Sequence, residues 1–80
     1  MIKIKLKIYN LEGEKEYFVN KITLPTYLGK ITVLPNHQPL LVLLDKGKII
    51  FWEDDKKNEV LIEREAFARI SQKIVEIFMV

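Results

Sequence analysis

The sequence predicts an all-β domain, a small sandwich or barrel, and three observations carry that prediction. The chain opens on strict alternation, Ile2, Ile4, Leu6 and Ile8 between Lys3, Lys5, Lys7 and Tyr9, the period of two expected where one strand face is buried and the other is wet. Turn formers then recur at short intervals, at Gly13, at Pro25 and Gly29, at Pro35 and Pro39, and at Gly47. Strands returning about every 8 to 12 residues build sandwiches and barrels. Finally, 80 residues that are 49% hydrophobic and 30% charged make a single domain over 1–80, whose one core must be used efficiently.

Each element follows from its residues. Residues 2 to 9 form a half-buried strand with a lysine row on its outer face. As a first strand it is expected near a sheet edge, where lysines discourage pairing with another chain; a basic contact surface is the sharper reading. Leu11-Glu12-Gly13-Glu14 is a turn, and a second strand runs through Tyr17, Phe18 and Val19. Ile22, Thr23 and Leu24 lead into the most particular stretch, LPTYLGKITVLPNHQPLL at residues 24 to 41. There the backbone must turn between Pro25 and Gly29 and again between Pro35 and Pro39. Between the turns Ile31 and Val33 face a core while Lys30 and Thr32 face outward. Leu40 to Leu44 is apolar on both faces, the pattern of a strand buried between two layers. Lys48 to Trp52 follows, then a charged hairpin tip from Glu53 to Asn58 and a strand from Glu59 to Glu63. Phe51 and Trp52, being adjacent, point to opposite faces.

The end of the chain supports two readings. Phe67, Ile70, Ile74, Ile77 and Phe78 fall at helical spacing among good helix formers. Against that, Ser71-Gln72-Lys73 makes a turn and the last seven residues are rich in β-branched and aromatic types.

Little chemistry is encoded. Thirteen basic and eleven acidic residues are mixed along the chain, so nucleic-acid binding would require folding to gather lysines onto one face. Without cysteine there is no disulfide framework, thiolate metal site or thiol nucleophile. The start is no signal peptide, and the longest apolar run, Leu40 to Leu44, is far short of the roughly 20 residues a membrane helix needs; any membrane link is expected through a partner. His37 is the sole histidine, and with no motif supplying a nucleophile or an orienting carboxylate it reads as a turn or interface histidine. Gly29 belongs to no phosphate-binding loop. Asp54 and Asp55 beside Lys56 and Lys57 read as a solvated tip. No metal or cofactor is expected.

The spacing of Leu24, Pro25, Gly29, Val33, Leu34, Pro35, His37, Pro39 and Leu40 matches a run written LPGxxGxxGVLPGHxPL and resembles the N-terminal domain of the epsilon subunit of F-type ATP synthases. The likeness covers nearly all 80 residues. Departures are local. Thr26, Thr32 and Asn36 replace family glycines, Glu65 and Ala66 a later glycine pair, and of a Gly-Gly-Phe segment only Phe67 remains. Asn tolerates left-handed backbone angles and Thr does not, so some turns should differ. Leu28 and Lys30 stand where acidic residues usually flank the loop glycine, reversing the local charge.

The resemblance implies a β-sandwich of about ten short strands, with strands near 66 to 70 and 74 to 79 in place of a helix. It also implies a non-catalytic rotor subunit of the central stalk that couples the gamma subunit to the ring of c subunits during proton- or sodium-driven ATP synthesis. The complex would sit peripherally on the cytoplasmic face of the cell membrane. By matching positions, Tyr27, Leu28, Gly29 and Lys30 would face the c-ring, and Asn10, His37 and Val42 would meet gamma. The family's C-terminal helical hairpin has no counterpart here, which implies coupling without that inhibitory brake. A different class of function is a free-standing module using the lysine row for nucleic acid or another acidic partner. Phosphate contacts would weaken steeply with salt, whereas an apolar interface would survive it.

Overall fold

Alternation governs the chain from its first described residues. The computed structural model describes residues 3–79, and every regular element within them is a strand: β1 (Ile4–Asn10), β2 (Gly13–Val19), β3 (Lys21–Thr26), β4 (Gly29–Val33), β5 (Leu40–Leu44), β6 (Gly47–Glu53), β7 (Lys56–Ile62), β8 (Ala66–Ile70) and β9 (Ile74–Met79). Nine strands thus stand where about ten were expected. Ile2, assigned to the inner face by alternation, lies outside the described residues.

The strands form one sheet folded into two layers. The hydrogen-bonded order is β2-β1-β9-β8-β5-β3-β6-β7, with β4 on the other side of β3. The link between β5 and β3 is a single bridge, Thr26 to Leu44, backed by the Asp45 N–H donating to the Pro25 carbonyl at 2.9 Å. It divides a five-stranded layer, β2-β1-β9-β8-β5, from a four-stranded one, β4-β3-β6-β7. All pairs are antiparallel except β1 with β9, which run parallel with Lys5 beside Ile74. The first strand is therefore interior, between β2 and β9, because the returning β9 takes the edge that local sequence leaves open.

The core is the inward half of this alternation. Ile4, Leu6 and Ile8 of β1, Ala66, Ala68 and Ile70 of β8, and Val75 and Ile77 of β9 meet Ile22, Leu24, Val33, Ile49, Phe51 and Ile62 of the other layer. Tyr17 on β2 reaches across to Phe51, ring centroids 4.7 Å apart. No polar side chain is buried among the described residues. Ala66 and Ala68 are buried among larger side chains.

The ambiguous end resolves as strands, at Ala66–Ile70 and Ile74–Met79. Two neighbours make the difference: β9 pairs with both β1 and β8, and β8 with both β9 and β5. Their backbone groups are satisfied by strands a helix could not join. The charged tip is also tighter than expected, since β6 and β7 pair up to Glu53 and Lys56 and only Asp54 and Asp55 turn. Phe51 is buried while Trp52 is half-buried on the outer face under the Lys21 ammonium, 4.2 Å from the ring centroid.

The segment Leu40–Leu44 corrects a second expectation. It is not a strand covered on both faces. β5 lies at the border of its layer, paired with β8 along its length and touching β3 only at Leu44, and Leu40, Leu41 and Leu43 are exposed. An apolar run on both faces arises from burial between layers or from an outer face that is apolar but uncovered, and here the second applies.

Candidate functional site

The turns gather at two ends of the sandwich. At one lie the β1–β2 turn, the β3–β4 turn, the β5–β6 corner and the β7–β8 link, and between the first and last of these is an open hollow of about 370 Å³ lined in part by Asn10, Leu11, Arg64, Glu65 and Met79. The Tyr27–Lys30 turn projects here. Thr26 closes it: its hydroxyl donates to the Gly29 carbonyl and accepts from the Leu28 N–H at 3.2 Å. A local side-chain bond thus holds the turn at a position where the resembled family uses glycine. Desolvation first, and the interaction with the Glu65 carboxylate next, hold the Tyr27 phenol above its ordinary value. Leu28 is wholly exposed and Tyr27 and Leu11 are largely so. This end therefore offers an apolar tip next to Lys30.

At the other end the β4–β5 loop meets the β8–β9 turn through the Asn36 N–H donating to the Gln72 carbonyl at 2.9 Å. Asn36 holds φ at 66°, as its replacement of a family glycine led one to expect. His37 follows, its Nδ1 donating to the Gln38 carbonyl at 2.7 Å. The histidine thus serves the loop's own backbone.

Between the ends lies the outer face of the five-stranded layer. Register sets its cross-strand rows. One reads Glu14, Tyr9, Phe78, Phe67, Leu43. The next reads Glu16, Lys7, Glu76, Arg69, Leu41. The Phe78 ring is stacked between Tyr9 at 4.9 Å and Phe67 at 4.8 Å. Beside them Leu41 is 67% and Leu43 63% exposed, and Leu41, Val42, Leu43 and Phe67 line an apolar hollow of about 360 Å³. Outer faces of sandwiches ordinarily carry polar residues, so an aromatic and leucine stripe of this extent marks an interaction surface.

The lysine row is largely neutralised. Lys5 and Lys7 share Glu16, at 3.9 and 3.8 Å, and Lys3 meets Asp54 at 3.2 Å. Folding intersperses carboxylates with the lysines, which removes the single-sign field that a nucleic-acid face requires.

The residues singled out by sequence are brought together only in part. Tyr27, Leu28, Gly29 and Lys30 form one turn, and Asn10, whose Oδ1 accepts from the Glu12 N–H at 2.9 Å, shares their end. His37 sits at the opposite end. Val42 faces inward from the middle of β5 and packs against the core, so its neighbours Leu41 and Leu43 form the surface. Tyr9, Phe67, Arg69, Glu76 and Phe78 went unremarked as a group. The signal that finds them is the inward alternation of Ala66, Ala68 and Ile70, which assigns Phe67 and Arg69 outward.

Comparison with known proteins agrees with this geometry. Residues 3–79 match the family model described as the ATP synthase, Delta/Epsilon chain, beta-sandwich domain. The ATP synthase epsilon chain of Lawsonia intracellularis is 36% identical over 59 residues, covering 74% of this chain and 44% of the relative. The plastid ATP synthase epsilon chain of Prototheca wickerhamii is 38% identical over 77 residues, covering 92% of this chain and 57% of the relative. The chain thus spans about half the length of the curated relatives it matches. A chain in the cryo-EM structure of the Euglena gracilis mitochondrial ATP synthase, determined with OSCP, F1 and the c-ring, superposes with a TM-score of 0.89 at 25% identity, over 99% of this chain and 51% of that one. A chain of the Tetrahymena thermophila mitochondrial ATP synthase central stalk and c-ring gives a TM-score of 0.77 at 14% identity, over 98% and 64%, a likeness of fold. With its alternation, sandwich topology and central run all in agreement, this chain belongs to the ATP synthase delta/epsilon-chain β-sandwich family.

Proposed function

We propose that this chain works as a non-catalytic rotor element of the ATP synthase central stalk, coupling a gamma subunit to a c-ring during ion-driven ATP synthesis, peripheral to the membrane on its cytoplasmic face. The observation that carries the reading is the aromatic and leucine stripe on the outer face of the five-stranded layer, in a chain of this family. A rigid sheet can present a face to one partner and short turns to another with no reacting group. In this reading gamma covers Leu41, Leu43, Phe67 and Phe78. Asn10 and His37 bracket that face at its two ends, and Val42 supports it from beneath. The Tyr27–Lys30 turn meets the c-ring through the apolar side chains of Tyr27 and Leu28, with Lys30 beside them.

The test is co-purification with a gamma subunit and catalytic hexamer from the same organism, at moderate and high salt. Leu43→Asp is the variant of choice, because Val42 packs against the core and a charge there would unfold the chain before it reported on binding. Stoichiometric association that survives high salt and is lost in Leu43→Asp is expected. Association that disappears with salt alone would favour an acidic-partner module instead, and absence of association at any salt would leave only a shared fold. For the second contact, Leu28→Asp should weaken attachment to the ring while gamma association persists.

A further inference from the structure

Within the face assigned above to gamma, and resting on that assignment, one side chain is charged, exposed and already fixed in place. Arg69 on β8 lies opposite Glu76 on β9. Its Nε donates to Glu76 Oε1 at 2.9 Å and its Nη2 donates to the same oxygen. Glu76 Oε2 accepts from the Tyr9 hydroxyl at 3.2 Å. The guanidinium carbon stands 6.0 Å from the centroid of the Phe78 ring, which is itself stacked between Tyr9 and Phe67. The two charges are unequally accessible: the Arg69 side chain is 62% exposed and that of Glu76 only 18%. What a partner touches at this point is therefore the cation.

Both bonds that hold Arg69 use one edge of the guanidinium, Nε and Nη2. The opposite edge, Nη1 and the second N–H of Nη2, has no hydrogen-bond partner among the described residues. A guanidinium carries five donors in a fixed fork, and its free end matches the two oxygens of a carboxylate. Covering that edge with apolar surface would strand desolvated donors, so a tight interface must supply an acceptor there. The paired bonds to Glu76 already restrict the rotamer freedom that an anchor residue loses on binding.

We propose that Arg69 is the polar anchor of this docking face, and that the partner surface is apolar with one aspartate or glutamate carboxylate seated end-on against the Arg69 guanidinium. Glu76 and Tyr9 act as positioning residues. They hold the guanidinium by its Nε and Nη2 edge beside the Phe78 ring and leave its other edge for the partner.

The experiment measures affinity for the gamma subunit in complex with its catalytic hexamer, using wild type, Leu43→Asp, Arg69→Leu, Arg69→Lys and Arg69→Glu, each first shown to be folded by its melting curve. Arg69→Leu is expected to weaken binding by about 10- to 100-fold. Arg69→Lys should recover only part of that, because an ammonium offers no fork. Arg69→Glu should bind worst and be restored by changing one gamma carboxylate to arginine. Wild-type affinity in Arg69→Leu, with binding still lost in Leu43→Asp, would overturn the anchor and leave the docking face standing. Wild-type affinity in Leu43→Asp would remove the docking face itself and the anchor with it.

Discussion

Two backbone positions show how single residues set the turns. Gly47 opens β6 at φ 149°, and a Cβ there would meet the Pro25 Cβ at 3.3 Å. Gly47→Ala should cost about 1–3 kcal/mol, read as a lower urea midpoint with an unchanged m-value. Asn36, at φ 66°, gains nothing from its side chain that the backbone requires, so Asn36→Gly should leave the midpoint nearly unchanged while Asn36→Val lowers it. Titration acts at this scale too. The Tyr9 phenol lies above its ordinary value of 10.0, chiefly through burial, with Lys7 opposing and Glu76 adding. The Lys7 ammonium lies above 10.5, through Tyr9 first and then Glu14. In both cases the folded state holds the proton more tightly than the unfolded one. Their contribution is complete below the unfolded values and lost as pH rises through the folded ones. Melting temperature should therefore hold level up to about pH 10 and fall above it, and Tyr9→Phe should flatten part of that fall. Tyr27, raised by burial and Glu65, accounts for a further part.

Among the elements, β5 has the least protected border. The edge strands β2 and β7 carry Glu14, Lys15 and Glu16, and Lys56, Lys57 and Glu59, and β4 carries Lys30; such charges discourage strand pairing between molecules. β5 carries none, and between Leu40 and Leu43 only β8 pairs with it. Without its partner the chain should self-associate with rising concentration, as read by sedimentation velocity, and Leu43→Lys should keep it monomeric. Its pattern shows why strand identity and strand position differ in legibility. That Leu40–Leu44 is extended follows from its bounding turns and its composition. Whether its second apolar face meets a layer or a partner depends on neighbours the local sequence does not name. The last two strands illustrate the converse: their helical spacing was misleading because Phe67 and Phe78 are apolar for the outer face and Ile70 and Ile77 for the inner one, so two overlaid periods of two imitate one of 3.6.

For the whole molecule the margin is small. A chain of this length buries a modest core, and the described residues bury only apolar side chains. Removing one of them should be felt globally: Leu24→Ala should cost about 2–5 kcal/mol, a large share of the roughly 5–15 kcal/mol typical of folded domains, measured as loss of a cooperative urea transition. Outer-face changes such as Leu43→Asp or Arg69→Leu should leave that transition in place while altering association, which separates docking from stability. The sequence alone determined that the chain is all-β, where most strands lie, which residues of β1 and β4 face inward, and, through the run from Leu24 to Leu40, the family to which it belongs. These are matters of local sterics and short-range alternation, written within a few residues. Tertiary structure decided that β1 lies inside the sheet, that β5 forms its exposed border, that Glu16 is shared by Lys5 and Lys7, and that Arg69 lies over an aromatic stack. Each of these depends on strands far apart in the chain, as when Lys5 comes to lie beside Ile74, and such adjacency is fixed only when the backbone hydrogen bonds of distant strands find one another in register.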